Sequence, residues 1–382
     1  MGEIYDIIII GAGVAGCGIS YHLKKVNFKG RLLIIDKKEP GANNAYGGRN
    51  TTKEIIKKYS LPYEHIYKGI KVGSEDETLF IFNKEFYFVN YKKICKKLLT
   101  YSQVEFRQET GIKLDKNILI TNKNHYRFKI IIDCSGKDFF CKKIYKQRLP
   151  FRYWIGKTLI SEKKIKDKNY FYFQFNDNNN FEDLYPLKNK TLYGTWQYTK
   201  KPYMNKINLP KKNLKDTYIK DSKIIKIQKA IIPCTPVFSM RYKNIYFLGD
   251  SFGNATTSSA EGIRAILENA KSLANLIKKN ELNKYEKIWK KKNFDSYMKF
   301  LVPRINEHHN LKFIQNIKKL PSKKEKLKIL KKYPDIFEKI LMSDSNFKYP
   351  KEIEKIFISR QKVFLMYNYL LLKLRYSLIN KI

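Results

Sequence analysis

A chain of 382 residues, 43% hydrophobic and 14% aromatic, can bury a large core spread over two or three domains, which excludes a disordered tail protein. Its formal charge of +42 would ordinarily suggest nucleic acid or an anionic membrane as partner, but only 11 of the 77 basic residues are Arg. The Lys excess comes with abundant Asn, Ile, Tyr and Phe, residues that share A/T-rich codons, so nucleic acid is not the expected partner.

Five cysteines, at positions 17, 95, 134, 141 and 234, have neither an even count nor metal-ligand spacing. They exclude a disulfide framework and a zinc site, and they fit a reducing, cytoplasmic setting. Acidic Glu3 and Asp6 precede the first apolar run, where a signal peptide would carry basic residues.

Residues 5–10 (YDIIII) read as a strand covered on both faces, ended by Gly11. A helix over 15–25 and a strand over 31–36 (RLLIID) complete a βαβ unit. A polar, glycine-rich loop follows at 40–52, then strand-like runs at 79–82 and 86–89, a Lys-studded helix from 91 to 100, and a strand at 126–136 ending in a small-residue turn. Between 150 and 235 the runs FRYWIG, YFYFQF and LYGTWQY, set between polar turns, predict a mostly antiparallel layer. The chain returns to the first layer at 245–278 and is helical and Lys-rich from Leu282 onward. No apolar stretch is long enough to span a bilayer.

These elements predict an α/β protein. A nucleotide-binding domain takes residues 1–60, 90–140 and 236–280. A substrate domain takes 61–89 and 141–235, and a helical C-terminal region takes 281–382.

GAGVAG sets Gly11, Gly13 and Gly16 at the spacing G-x-G-x-x-G between a strand and a helix. The first glycine permits the tight turn, the second lets backbone approach a pyrophosphate, and the third allows close helix packing, while the helix N-terminus favours the anion. Asp36 ends the second strand, where a carboxylate accepts hydrogen bonds from an unphosphorylated ribose, so FAD or NAD is expected in preference to NADP. Far along the chain, the segment NIYFLGDSFGNATTSSAEGIRAILEN (244–269) repeats a strand, a small-residue loop and a helix. Asp250 suits a hydroxyl-bearing chain such as the flavin ribityl, and Gly253 and Gly262 let backbone approach a flat ring. The helix opening near Glu261 would stabilise anionic reduced flavin through its dipole.

GAGVAG, Asp36, the strand-end DCSG (Asp133 to Gly136) and LGDSFGNATTSSAEGIRAILENA together resemble the FAD-dependent geranylgeranyl reductase family, within the p-hydroxybenzoate hydroxylase-like flavoproteins. The resemblance implies a Rossmann-type FAD-binding domain, an inserted antiparallel β-sheet substrate domain and a helical C-terminal region. It implies that Gly11, Ala12, Gly13, Ala15, Gly16 and Asp36 hold the ADP half of FAD, and that Gly249, Asp250 and Gly253 hold the ribityl-phosphate region. Gly48 and Arg49, in YGGR (46–49), would approach the isoalloxazine, with Glu261, Gly262 and Ile263 also against the flavin. Two positions depart from the family: NYKK at 90–93 replaces a segment with an Arg, and FEDLYP (Phe181 to Pro186) puts Asp183 where the family has Trp. Tyr185, Pro186 and the nearby Trp196 are the expected substrate contacts.

The implied activity is reduction of carbon-carbon double bonds in a polyprenyl chain, in lipid or isoprenoid biosynthesis. With one dinucleotide fingerprint, the electrons must come from transiently bound NAD(P)H or a small electron carrier. A flavin monooxygenase or halogenase on the same fold is a second reading, and a non-catalytic basic protein that binds prenyl lipid or nucleic acid is a third. No side chain is marked as proton donor or catalytic residue, and no His activates Ser251, Ser258 or Ser259 for hydrolysis. His22, His65, His125, His308 and His309 show no metal-ligand spacing. The apolar segment 363–379, preceded by Arg360 and Lys362, could rest on an anionic membrane surface, which would place a cytoplasmic protein peripherally on the inner face of the membrane.

Overall fold

The computed structural model describes residues 4–42, 50–73, 78–150, 152–175, 180–199, 213–234, 239–255 and 262–291, and Lys332. The segment 363–379 and the expected contacts Gly48, Arg49 and Glu261 lie outside the described residues.

The isoleucine run at the start of the chain becomes the strand Ile4–Ile10, in which Ile7, Ile8 and Ile9 are completely buried. It is a central strand, pairing in parallel with His125–Asp133 on one edge and with Leu32–Asp36 on the other, and its faces are covered by the elements packed on the sheet. Glu105–Gln108 extends the parallel sheet beyond Leu32–Asp36, and Ile245–Phe247 extends it beyond His125–Asp133. An antiparallel hairpin, Gly111–Asp115 with Ile118–Thr121, is attached to His125–Asp133, and Arg241–Tyr242 closes the far edge, giving eight strands among the described residues.

Helices Val14–Lys25, Tyr91–Ser102 and Ile263–Lys278 pack on this sheet and on one another. The last buries Ile263, Ile266, Leu267, Ala270, Leu273 and Ala274, an apolar stripe at helical spacing. It lies close to the first helix because Gly18 has no side chain: a Cβ there would come within 2.9 Å of Leu267 Cδ2. His22, on the same helix, is buried among apolar neighbours, and its imidazole is held neutral with a pKa of about 4. It is a core residue, and no cluster of possible metal ligands occurs among the described residues.

Among the described residues the aromatic runs form a second sheet of seven strands, in the order Ile224–Pro233, Tyr153–Ser161, Thr191–Thr199, Asn180–Pro186, Tyr170–Phe175, Gly69–Gly73, Thr78–Phe82. Its neighbours are antiparallel except where Gly69–Gly73 joins Tyr170–Phe175 in parallel. Alternate residues separate cleanly. Trp154, Phe171, Phe173, Phe181, Tyr185, Trp196 and Tyr198 face one core, while Leu159, Tyr172, Leu184 and Tyr193 face the other way against Leu214 and Ile219. A third sheet, Asn50–Thr52, Phe86–Val89 and Tyr63–Tyr67, joins the two halves. Its middle strand is buried at every residue, sending Tyr87 and Val89 into the core of the parallel sheet and Phe86 and Phe88 into the aromatic core. Among the described residues no helix is long and apolar enough to cross a membrane.

Candidate functional site

Three parallel strands end side by side, with Ile10 in register with Asp133 and Asp133 with Phe247. Their continuations carry the three motifs, as expected where a ligand binds at the carboxyl ends of an open sheet. Gly11 has φ of +106°, and a Cβ there would overlap the Cys134 carbonyl oxygen. A Cβ at Gly16 would fall on the Gly11 carbonyl oxygen. These two glycines are therefore required by the protein's own packing. Gly13 differs: an added Cβ would meet only the Tyr91 hydroxyl, at 3.3 Å.

Gly13 caps the first helix without a side-chain hydrogen bond, and the first turn holds no acidic residue. The first turn thus presents its backbone N–H groups with no carboxylate of its own. Val14 N–H donates to the Tyr91 hydroxyl at 3.1 Å. Asp36 Oδ2 accepts from Ala12 N–H at 2.7 Å and Oδ1 from Lys38 N–H at 3.0 Å. Each oxygen has further acceptor capacity, so Asp36 can shape the turn and still receive hydroxyls.

The distal motif sits directly on the first. Gly249 has φ of +75°, and a Cβ on it would lie 2.7 Å from Ala15 Cβ. Leu248 N–H donates to Asp133 O at 3.0 Å, and the Ser251 hydroxyl donates to the same carbonyl. Asn254 Oδ1 accepts from Gly249 N–H at 2.9 Å and from Asn269 Nδ2 at 3.3 Å, so one buried amide fixes the turn that carries Asp250. Asn254→Ala leaves both donors without this acceptor, and it should lower stability by about 1–3 kcal/mol in denaturant titrations.

Asp133 and Asp250 have opposite surroundings. The Asp133 carboxylate is fully buried and accepts from Ser135 N–H and Cys141 N–H, both at 2.9 Å, so it is committed to the fold. Asp250 keeps some exposure, yet no hydrogen bond or ion pair from the described residues reaches its carboxylate, and burial alone pushes its pKa up to about 7. A desolvated carboxyl without protein partners suits a ligand that donates hydroxyls. Gly253 follows with φ of +85°. The final helix begins at Ile263, with Gly262 as its cap.

The aromatic core reaches the same loop, since Ala255 packs within it. Of the expected substrate contacts, Tyr185 and Trp196 lie in this core, while the Pro186 carbonyl accepts from the Tyr67 hydroxyl at 3.0 Å. Phe181 stacks on Phe173 with centroids 4.5 Å apart, and Tyr185 stacks on Phe171 at 5.4 Å.

Asp183 and Trp196 form one unit. Asp183 is 1% exposed, and its Oδ2 accepts from Trp196 Nε1 at 2.9 Å and from the Tyr185 hydroxyl at 3.3 Å. Gly194 is directly opposite Asp183 in register, and a Cβ there would overlap Asp183 Oδ1. Burial raises this carboxyl to about 7 as well, against the pull of its two donors. Folding therefore takes up a proton at Asp183 between the unfolded pKa near 4 and about 7, and its contribution to stability declines as pH rises through that window. Asp183→Asn, which can still accept the indole proton, should flatten part of the loss of melting temperature between pH 5 and 8.

Tyr91, Asn254 and Ser251 make hydrogen bonds around these turns, although the sequence reading gave none of them a binding role. Asn254 alone had a local signal, an Asn five residues after Gly249 in a turn-forming run.

Neither a protein-family model nor a curated protein sequence matches the chain. Among solved structures it is similar to the flavin-dependent brominase Bmp2, at 13% identity and a TM-score of 0.70 over 96% of this chain and 99% of that one. It is also similar to a geranylgeranyl bacteriochlorophyll reductase-like protein from Thermoplasma acidophilum, at 14% identity and a TM-score of 0.64 over 89% of this chain and 99% of that one. A third similar structure is a flavoprotein/dehydrogenase from Cytophaga hutchinsonii, at 12% identity and a TM-score of 0.63 over 97% of this chain and 99% of that one. The chain therefore has the p-hydroxybenzoate hydroxylase-like flavoprotein fold, a Rossmann-type sheet with an inserted, mostly antiparallel sheet.

Proposed function

We propose that this protein is an FAD-dependent oxidoreductase that reduces carbon-carbon double bonds in a polyprenyl chain, with NAD(P)H or a small electron carrier as reductant. The observation that carries the FAD assignment is the Asp250 carboxyl, without partners among the described residues, beside a glycine-lined helix mouth. Gly11, Ala12, Gly13, Ala15, Gly16 and Asp36 would hold the ADP half, and Gly249, Asp250 and Gly253 the ribityl-phosphate region. Gly262 and Ile263 would lie along the ring. When bound, FAD would supply the two electrons of the reduction as hydride.

The chain's own contribution is position and dryness. The aromatic face that meets Ala255 offers an apolar substrate a water-poor surface, and a buried alkene is shielded from competing oxidation. Likeness to a brominase favours a second reading, a flavin-dependent monooxygenase or halogenase. Purified protein should show flavin absorption and should saturate a geranylgeranyl substrate anaerobically when given NAD(P)H or a chemical reductant. Hydroxylated or brominated product made only with oxygen would replace the reductase reading. Colourless protein that cannot be reconstituted with FAD would overturn both. An inner-face membrane association through residues 355–382 is tested by flotation with anionic liposomes, where a truncated protein that still floats would refute it.

A further inference from the structure

We propose that Asn50 reads the polar edge of the flavin ring, its carboxamide paired with the ring N3–H and a neighbouring ring carbonyl. The inference deepens the FAD reading above, on which it rests, and gives a ring contact to a side chain that no motif marks.

Asn50 follows directly on YGGR (46–49), the loop expected at the isoalloxazine, and it opens the short strand Asn50–Thr52. That strand pairs antiparallel with Phe86–Val89, with Asn50 directly opposite Phe88 and Thr51 opposite Tyr87. Residues opposite one another in such a pair project from the same face of the sheet. Asn50 therefore shares the face of Phe88, which is completely buried in the aromatic core with its ring centroid 5.4 Å from that of Tyr185. Ala255, at the end of the loop that carries Asp250, belongs to the same core. The amide is thus placed where the nucleotide-binding half meets the aromatic layer.

Asn50 Oδ1 is buried and has no hydrogen-bond partner, and among the described residues none reaches its Nδ2 either. A desolvated amide oxygen that accepts nothing costs the fold free energy, so its presence beside an apolar core calls for a ligand with an N–H to give. The polyprenyl chain proposed as substrate carries no such group, which directs the amide to the cofactor. The pyrimidine edge of an isoalloxazine sets an N–H between two carbonyls, and a carboxamide offers the complement, an acceptor beside a donor. The match holds with the amide turned either way, because a carbonyl flanks the N–H on both sides.

The test compares FAD with its N3-methyl analogue, each titrated by quenching of flavin fluorescence into wild type, Asn50→Leu and Asn50→Ala. Melting of the FAD-free proteins is measured alongside. Wild type should bind the methylated flavin about 10-fold more weakly than FAD, the loss expected for one buried hydrogen bond. Both variants should bind FAD about 10-fold more weakly than wild type and should treat the two flavins alike to within about 2-fold. FAD-free Asn50→Leu should melt no lower than wild type, since it removes a buried oxygen that has no partner. Wild type that binds both flavins equally would overturn the proposal. So would a variant that keeps the wild-type preference, whatever its melting temperature, because the amide would then serve the strand alone. Wild-type protein that takes up neither flavin would instead overturn the FAD reading, and the ring contact with it.

Discussion

Asp250→Asn is expected to weaken FAD binding by about 10- to 100-fold while making the FAD-free protein more stable above neutral pH. The two effects have one cause. Burial without any partner among the described residues lifts the folded carboxyl to about 7, whereas in the unfolded chain it titrates near 4. The folded state therefore holds a proton that the unfolded state releases between those values. Below pH 4 both states are protonated and the carboxyl is harmless. As pH rises the unfolded chain gains its charge cheaply, and the folded chain loses relative stability until about pH 7. A three-unit displacement corresponds to about 4 kcal/mol at most, and partial exposure makes the realised figure smaller.

Asparagine removes this penalty but offers a ligand hydroxyl only a neutral acceptor. The melting temperature of FAD-free Asp250→Asn should exceed that of wild type at pH 8, with the two converging toward pH 4. FAD should narrow the gap at pH 8 by stabilising wild type more than the variant. A residual pH slope in the variant is expected from the other displaced groups, Asp183 acting in the same direction and His22 in the opposite one. Equal FAD affinity, or identical pH profiles, would remove Asp250 from the site.

Much of the architecture was legible because it follows from local patterns. The run of four isoleucines ended by Gly11 could only be a strand covered on both faces, and GAGVAG placed a helix mouth directly after it. Gly249 was expected among the cofactor-binding residues, and its positive φ and the closeness of Ala15 show that it passes close to the other motif.

The contacts that escaped the reading are those that depend on register or on distance along the chain. Nothing in NYKK reveals that the Tyr91 phenol reaches Val14. Asp183 and Trp196 could be named as a departure and a possible replacement, but their hydrogen bond exists because Asp183 falls opposite Gly194, which brings Trp196 within reach two residues further on. The strand Phe86–Val89 has no alternation to read, since both of its faces are buried in different cores. The parallel joint between Gly69–Gly73 and Tyr170–Phe175 unites segments about a hundred residues apart, and no local pattern encodes such pairing.

Within the fingerprint, the glycines should separate into those the fold needs and the one the ligand needs. Gly16→Ala places a methyl on the Gly11 carbonyl oxygen, an atom of backbone held in a turn whose own Gly11 N–H donates to Ile35 O at 2.7 Å. No rotamer change relieves such a contact, so helix and strand must move apart, at about 3 kcal/mol or more. Gly13→Ala meets only the end of the Tyr91 side chain at 3.3 Å, which can yield by a few tenths of an ångström. It should melt within a few degrees of wild type, yet bind FAD at least about 10-fold more weakly, because its methyl occupies the approach to the helix N–H groups. Gly16→Ala should be poorly soluble or strongly destabilised even before FAD is added. Thermal melts of FAD-free protein and FAD titrations of the two variants separate the roles. Gly16→Ala that melts with wild type would show that the first helix is not held against the Gly11 turn as described, and Gly13→Ala with full FAD affinity would move the pyrophosphate away from this helix.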